Sequence, residues 1–164
     1  MKVFKKYVLP ILFVLVLLGI DQFTKYLAVV HLQPIREIVL IDGVFSLFYH
    51  ENAGMAFGLF QGGRWVFVGL TVVALAGFVY FYISLPKTRY HNVMRLFLLI
   101  LIGGALGNFV DRLIQGYVVD FFYFSLINFP IFNVADVFLV VAVFGLAIML
   151  LFVKEPKYDK TYGR

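Results

Sequence analysis

Four long apolar runs decide what this chain can become. They cover about residues 7–30, 64–85, 93–114 and 131–153. Each holds about 20 residues or more, enough for a helix to cross a hydrocarbon core roughly 30 Å thick. Of the 164 residues, 63% are hydrophobic and only 14% are charged. A soluble domain of that size cannot hide so much apolar surface. The expected fold class is an integral membrane protein, mainly α, with four transmembrane helices in one polytopic domain spanning residues 1–164.

The basic residues orient the spans. Lys2, Lys5 and Lys6 precede the first run, Lys87, Arg89 and Arg95 cluster between the second and third, and Lys154, Lys157, Lys160 and Arg164 follow the fourth. The other two connections carry at most Arg36, Arg64 and Arg112. By the positive-inside rule, both termini and the 86–92 loop face the cytoplasm. The net charge of +5 is therefore a topology signal, and no nucleic-acid surface is expected. The first run resembles a secretory signal, but it is too long, lacks a small-x-small cleavage site and continues into Asp21-Gln22, so it reads as a retained span.

The external connections differ in character. Residues 31–63 hold Ile35-Arg-Glu-Ile-Val-Leu-Ile41, then Asp42-Gly43, then Val44-Phe-Ser-Leu-Phe-Tyr49. Asp-Gly between two β-prone runs signals a hairpin, here a small extracytoplasmic sheet. Residues 115–130 carry Tyr117, Phe121, Phe122, Tyr123, Phe124 and Phe129. That aromatic segment is expected at the headgroup interface.

Against this apolar background the acids stand out, because an intramembrane acid is a functional-site hypothesis by default. At about 1.5 Å per residue, Asp21 and Asn108 lie roughly 21 and 22 Å from the cytoplasmic ends of their spans, and Asp136 lies roughly 8 Å in from outside. Asp120 falls in the external connection. The acids thus converge on the outer half of the bilayer, and the pair Asp120 and Asp136 could activate water. Asn108, Asp111 and Arg112 share a helix face, as do Asn133 and Asp136, and Asp21 and Lys25 form an i, i+4 pair.

Each residue also has a plainer reading. Asp21 with Lys25, and Asp111 with Arg112, could be structural ion pairs. Asn133 could simply cap the fourth helix, Asp136 could be a helix-start acid, and Asp120 could be an exposed loop carboxylate. Gly103-x-x-x-Gly107 signals close helix packing. Thr71 and Ser84 are the main polar residues of the second span, which reads as scaffold. The chain has no cysteine, and His31, His50 and His91 are its only histidines. His50-Glu51 lacks the second histidine of a zinc helix, and no metal site is expected. A Ser/Lys dyad of Lys25 with Ser46 or Ser125 has no support in spacing. Two rival classes are a proton- or ion-coupled transporter, which predicts acids distributed through the membrane depth, and a noncatalytic membrane subunit.

Five motifs, in order, resemble one family: Asp21-Gln-x-Thr-Lys25, Asn52-Ala-Gly-Met-Ala-Phe-Gly58, Gly103-Gly-Ala-Leu-Gly-Asn-Phe-Val-Asp-Arg112, Val118-Val-Asp-Phe121 and Phe132-Asn-Val-Ala-Asp136. Together they are similar to lipoprotein signal peptidase, signal peptidase II, over nearly the whole chain. The resemblance implies a bacterial aspartic endopeptidase of the cytoplasmic membrane with no metal or other cofactor. Its partners would be membrane lipids and prolipoprotein signal peptides carrying a diacylglyceryl group on a cysteine, and it would cut just before that cysteine. It implies Asp120 and Asp136 as catalytic residues, Asn52, Gly54, Asn108, Arg112 and Asn133 as substrate-binding residues, and Asp21, Lys25 and Asp111 as support. All these residues come from one chain, so a monomer suffices. Two positions depart from the pattern: Val137 stands where many members have serine, and Met55 where a small residue is common.

Overall fold

The computed structural model describes residues 7–54 and 63–155. Lys2, Lys5, Lys6, Met55, Lys157, Lys160 and Arg164 lie outside the described residues. Helices α1 (Leu9–His31), α2 (Arg64–Ser84), α3 (Arg89–Ile114) and α4 (Val134–Phe152) match the four runs. All four are long and apolar enough to cross a membrane, with mean hydropathy from 1.7 to 2.8. Large apolar side chains such as Leu15, Val73 and Phe144 are exposed on them, as a hydrocarbon solvent permits.

Local signals set the helix boundaries. Pro10 sits in the first turn of α1, where a missing N–H removes no helical bond. Helix α3 begins at Arg89, four residues before the apolar run, because the Thr88 hydroxyl accepts from His91 N–H at 3.2 Å. Helix α4 begins three residues after the expected start. Residues 131–133 are not helical: Phe132 bridges to Phe122, and Asn133 caps the helix.

Helix α3 packs against each of the other three, and α2 packs chiefly on α3. The glycines make the close approach possible. A Cβ on Gly104 would stand 2.7 Å from the Ala135 carbonyl of α4, and one on Gly103 would meet Leu17 of α1 at 2.9 Å. With no hydrophobic effect between helices in lipid, such small-residue contacts supply the packing. The α2 hydroxyls of Thr71 and Ser84 bond their own helix carbonyls, Phe67 and Tyr80.

The expected hairpin is present as β1 (Glu37–Ile41) and β2 (Phe45–Asn52), turning through Gly43 at φ 67°. A third strand, β3 (Val118–Tyr123), pairs antiparallel with β2 and completes the order β1-β2-β3. The aromatic segment of residues 115–130 thus also supplies a strand to the sheet: residues 118–121 are all buried. Tyr49, Val119 and Phe121 pack with Ala28 and Leu32, so the sheet sits on the C-terminal end of α1.

Candidate active site

Asp120 lies in the middle of β3 and is 2% exposed, not an exposed loop carboxylate. Next to it the ladder slips. Leu47 pairs with Phe122 and His50 with Asp120, so β2 carries one extra residue there. Such a bulge bends its strand and re-aims nearby side chains, and bulges gather beside functional sites.

Asp136 arrives from the other side, in the first turn of α4. Its Oδ2 accepts from the Asn133 backbone N–H at 3.1 Å, while Asn133 Oδ1 accepts from the Asp136 N–H at 3.1 Å. Reciprocal capping fixes both residues to the helix end. Asn133 does more than cap: its Nδ2 donates to Asp120 Oδ1 at 2.6 Å and to Asn108 Oδ1 at 3.1 Å. One fully buried asparagine therefore ties the two carboxylates together. Asn108 Nδ2 donates to Asp136 Oδ1 at 2.8 Å, and Asn52 Nδ2 donates to Asp120 Oδ2 at 2.9 Å.

Burial acts strongly on Asp120. Burial, and then the charge of Asp136, push the Asp120 carboxyl up to about 7, against the hydrogen bonds from Asn52 and Asn133. Two neighbouring carboxylates cannot both ionise cheaply, so the pair favours holding one proton.

Beneath the asparagines lies a buried charge network. Lys25 pairs with Asp21 at 2.8 Å and Asp111 at 2.9 Å, and its ammonium donates to Asn108 Oδ1 at 3.0 Å. Asp21 accepts from the Ala135 N–H at 2.9 Å, tying α1 to the start of α4. Asp111 therefore bonds across helices and not with its neighbour Arg112. The Arg112 guanidinium instead reaches the Gly54 carbonyl at 3.4 Å and lies 5.0 Å from the Phe67 ring. The Gly54 N–H donates to Asn52 Oδ1 at 3.1 Å. Sequence reasoning gave Gln22 no role, although the motif Asp21-Gln-x-Thr-Lys25 contains it; it donates to Asp111 Oδ1 at 2.8 Å.

All ten candidate residues thus fall in one connected region. Asp120, Asp136, Asn52, Gly54 and Arg112 line a cavity of about 1220 Å³, whose lining also includes Val137, Val140 and Val141 of α4. Lys25 is fully engaged, which removes it as partner for Ser46 or Ser125. His91 sits at the far end of α3, paired with Glu155 at 3.6 Å. Among the described residues, no three His, Asp or Glu side chains gather as a metal site.

Known proteins give this geometry a context. The signal peptidase (SPase) II family matches residues 13–152. The lipoprotein signal peptidase of Brevibacillus brevis is 45% identical over 136 residues, 83% of this chain and 88% of that protein. That of Symbiobacterium thermophilum is 42% identical over 91% of this chain and 97% of its own. A solved bacterial membrane enzyme superposes with a TM-score of 0.80 at 32% identity, over 94% of this chain and 96% of that one. The chain therefore belongs to the signal peptidase II family, and it is a membrane peptidase rather than the ion-coupled transporter weighed as its alternative.

Proposed function

We propose that this peptidase removes signal peptides from diacylglyceryl-modified prolipoproteins, cutting just before the modified cysteine, with Asp120 and Asp136 as its catalytic pair. The observation that carries this reading is Asn133, which bonds both carboxylates at the wall of one cavity. Burial and the neighbouring Asp136 raise the Asp120 carboxyl, so the pair holds one proton near neutral pH. The ionised member takes a proton from a water as the water oxygen attacks the scissile carbonyl carbon. The protonated member hydrogen-bonds the carbonyl oxygen and stabilises the tetrahedral diol. Proton transfer to the nitrogen then breaks the C–N bond, releasing a carboxylic acid and an amine. The two macroscopic titrations belong to the pair.

The remaining residues position substrate. Asn52 and Asn133 hold Asp120, Asn108 and Asn133 hold Asp136, and the substrate backbone meets these amides. Arg112 holds the Gly54 carbonyl, two residues from Asn52. Asp21, Lys25 and Asp111 keep α1, α3 and α4 in register. The apolar wall of Val137, Val140 and Val141 accommodates the signal segment, and the acyl chains stay in hydrocarbon. The chain acts as one domain and a monomer in the bacterial cytoplasmic membrane, with cytoplasmic termini and the sheet outside.

Full-length protein reconstituted in liposomes should cut a lipid-modified prolipoprotein peptide just before its cysteine. The same peptide without the diacylglyceryl group should be cut at least about tenfold more slowly, because anchoring energy remote from the bond is lost. Equal rates for the two peptides would contradict lipid-based positioning.

A further inference from the structure

The composition of α2 marks it as scaffold, yet one of its side chains stands apart. Among the described residues of this helix only Phe67 is buried, at 8% exposure. It lies in the first turn, three residues after Arg64. The stripe that continues from it along the helix, through Thr71, Ala74 and Phe78, is half-buried.

Phe67 meets a charge. The guanidinium carbon of Arg112, on α3, lies 5.0 Å from the centre of its ring. Among the described residues that guanidinium makes one hydrogen bond, to the Gly54 carbonyl at 3.4 Å, and no ion pair; the ion pairs there join Lys25 to Asp21 and Asp111, and His91 to Glu155. Asp120 and Asp136 nevertheless lie near enough for their charges to act on it.

A ring face attracts a cation through its quadrupole and occupies none of the cation's N–H donors. An aliphatic side chain would fill much of the same space without that attraction. Arginine has a long side chain with much rotamer freedom, and a site that must freeze such a side chain during binding loses affinity. Held beforehand by Phe67, the Arg112 head meets substrate with its donors not spent on the contact that holds it.

We propose that Phe67 is a positioning residue: it holds the Arg112 guanidinium in place for a substrate carbonyl oxygen, so α2 contributes to substrate binding as well as to the scaffold. This rests on Arg112 being a substrate-binding residue of the Asp120 and Asp136 site. The test assays full-length protein in liposomes with a lipid-modified prolipoprotein peptide and reads kcat and KM separately. Phe67→Leu should raise KM about fivefold, the scale of one partly desolvated cation–π contact, with kcat within about twofold of wild type. Phe67→Tyr keeps the ring and should keep KM near the wild-type value. In an Arg112→Met background, Phe67→Leu should leave KM where Arg112→Met put it. Adding fluorines one by one to the Phe67 ring weakens its face with little change of shape, and KM should climb at each step. A KM indifferent to fluorination, or an equal effect of Phe67→Leu with and without Arg112, would reduce Phe67 to packing and overturn the proposal. Failure of the underlying reading looks different: Arg112→Met would then leave KM at the wild-type value, and the role of Phe67 would fall with it.

Discussion

Asn133 meets the two acids with different atoms: its side-chain amide reaches Asp120 and its backbone N–H reaches Asp136. The first bond crosses from α4 to the sheet, and the second stays within the helix cap. The sequence supports the cap reading of Asn133 through local spacing, but no local pattern discloses a bond to a strand thirteen residues away. The same limit applies to Lys25. Its i, i+4 partner Asp21 was legible, and its second partner Asp111, on another helix, was not. Asp120 yields a pH prediction at this scale. Its folded value, raised to about 7 from an ordinary 3.8, means that the folded protein holds the proton more tightly than the unfolded one. The stability it contributes is full below about 4 and is lost as pH rises through about 7. The thermal midpoint of the wild type in detergent should therefore fall between about pH 4 and 7, and Asp120→Asn should flatten that fall. Turnover should show a descending limb near 7 as the Asp120–Asp136 pair loses its shared proton. An equal fall in midpoint for wild type and Asp120→Asn would contradict the assignment.

The elements depend on one another through few contacts. Helix α3 can approach α1 and α4 because Gly103, Gly104 and Gly107 leave room, and the Gly-x-x-x-Gly spacing announced this. The third strand was not announced. Val118 to Phe121 is buried throughout, so it lacks the alternation that marks a half-exposed strand. Its aromatic neighbours read more readily as an interfacial belt. Between α1 and α3, Lys25 bridges two acids of which Asp21 is 0% and Asp111 5% exposed. Replacing Lys25 by methionine removes the positive charge both carboxylates share. Removal of one partner from a buried ionic cluster costs about 3–5 kcal/mol, and thermal unfolding in detergent should register a loss of that order. A variant as stable as wild type would show that the network contributes nothing to helix register.

At the scale of the whole molecule, the candidate site sits where α1 ends, α3 ends and α4 begins, with the sheet closing over it. That arrangement puts the reacting bond near one membrane face while the helices stay in hydrocarbon. The proposed orientation, read from the distribution of Lys and Arg, puts this face outside. The chain contains no cysteine, so single introduced cysteines can report topology without background. Asp42→Cys, on the hairpin turn, should react with a membrane-impermeant maleimide on intact spheroplasts. Lys87→Cys, between α2 and α3, should react only after permeabilisation. The reverse pattern would place the site on the cytoplasmic side.

The central claim is that Asp120 and Asp136 work as one unit, and the most direct measurement is a double-mutant comparison in the reconstituted cleavage assay. Asp120→Asn and Asp136→Asn should each insert normally and lose at least about a thousandfold in kcat, and the double variant should be no slower than either single, as expected of residues acting together. Near-normal turnover in either single variant, or losses that multiply in the double, would contradict a shared catalytic role for the two carboxylates.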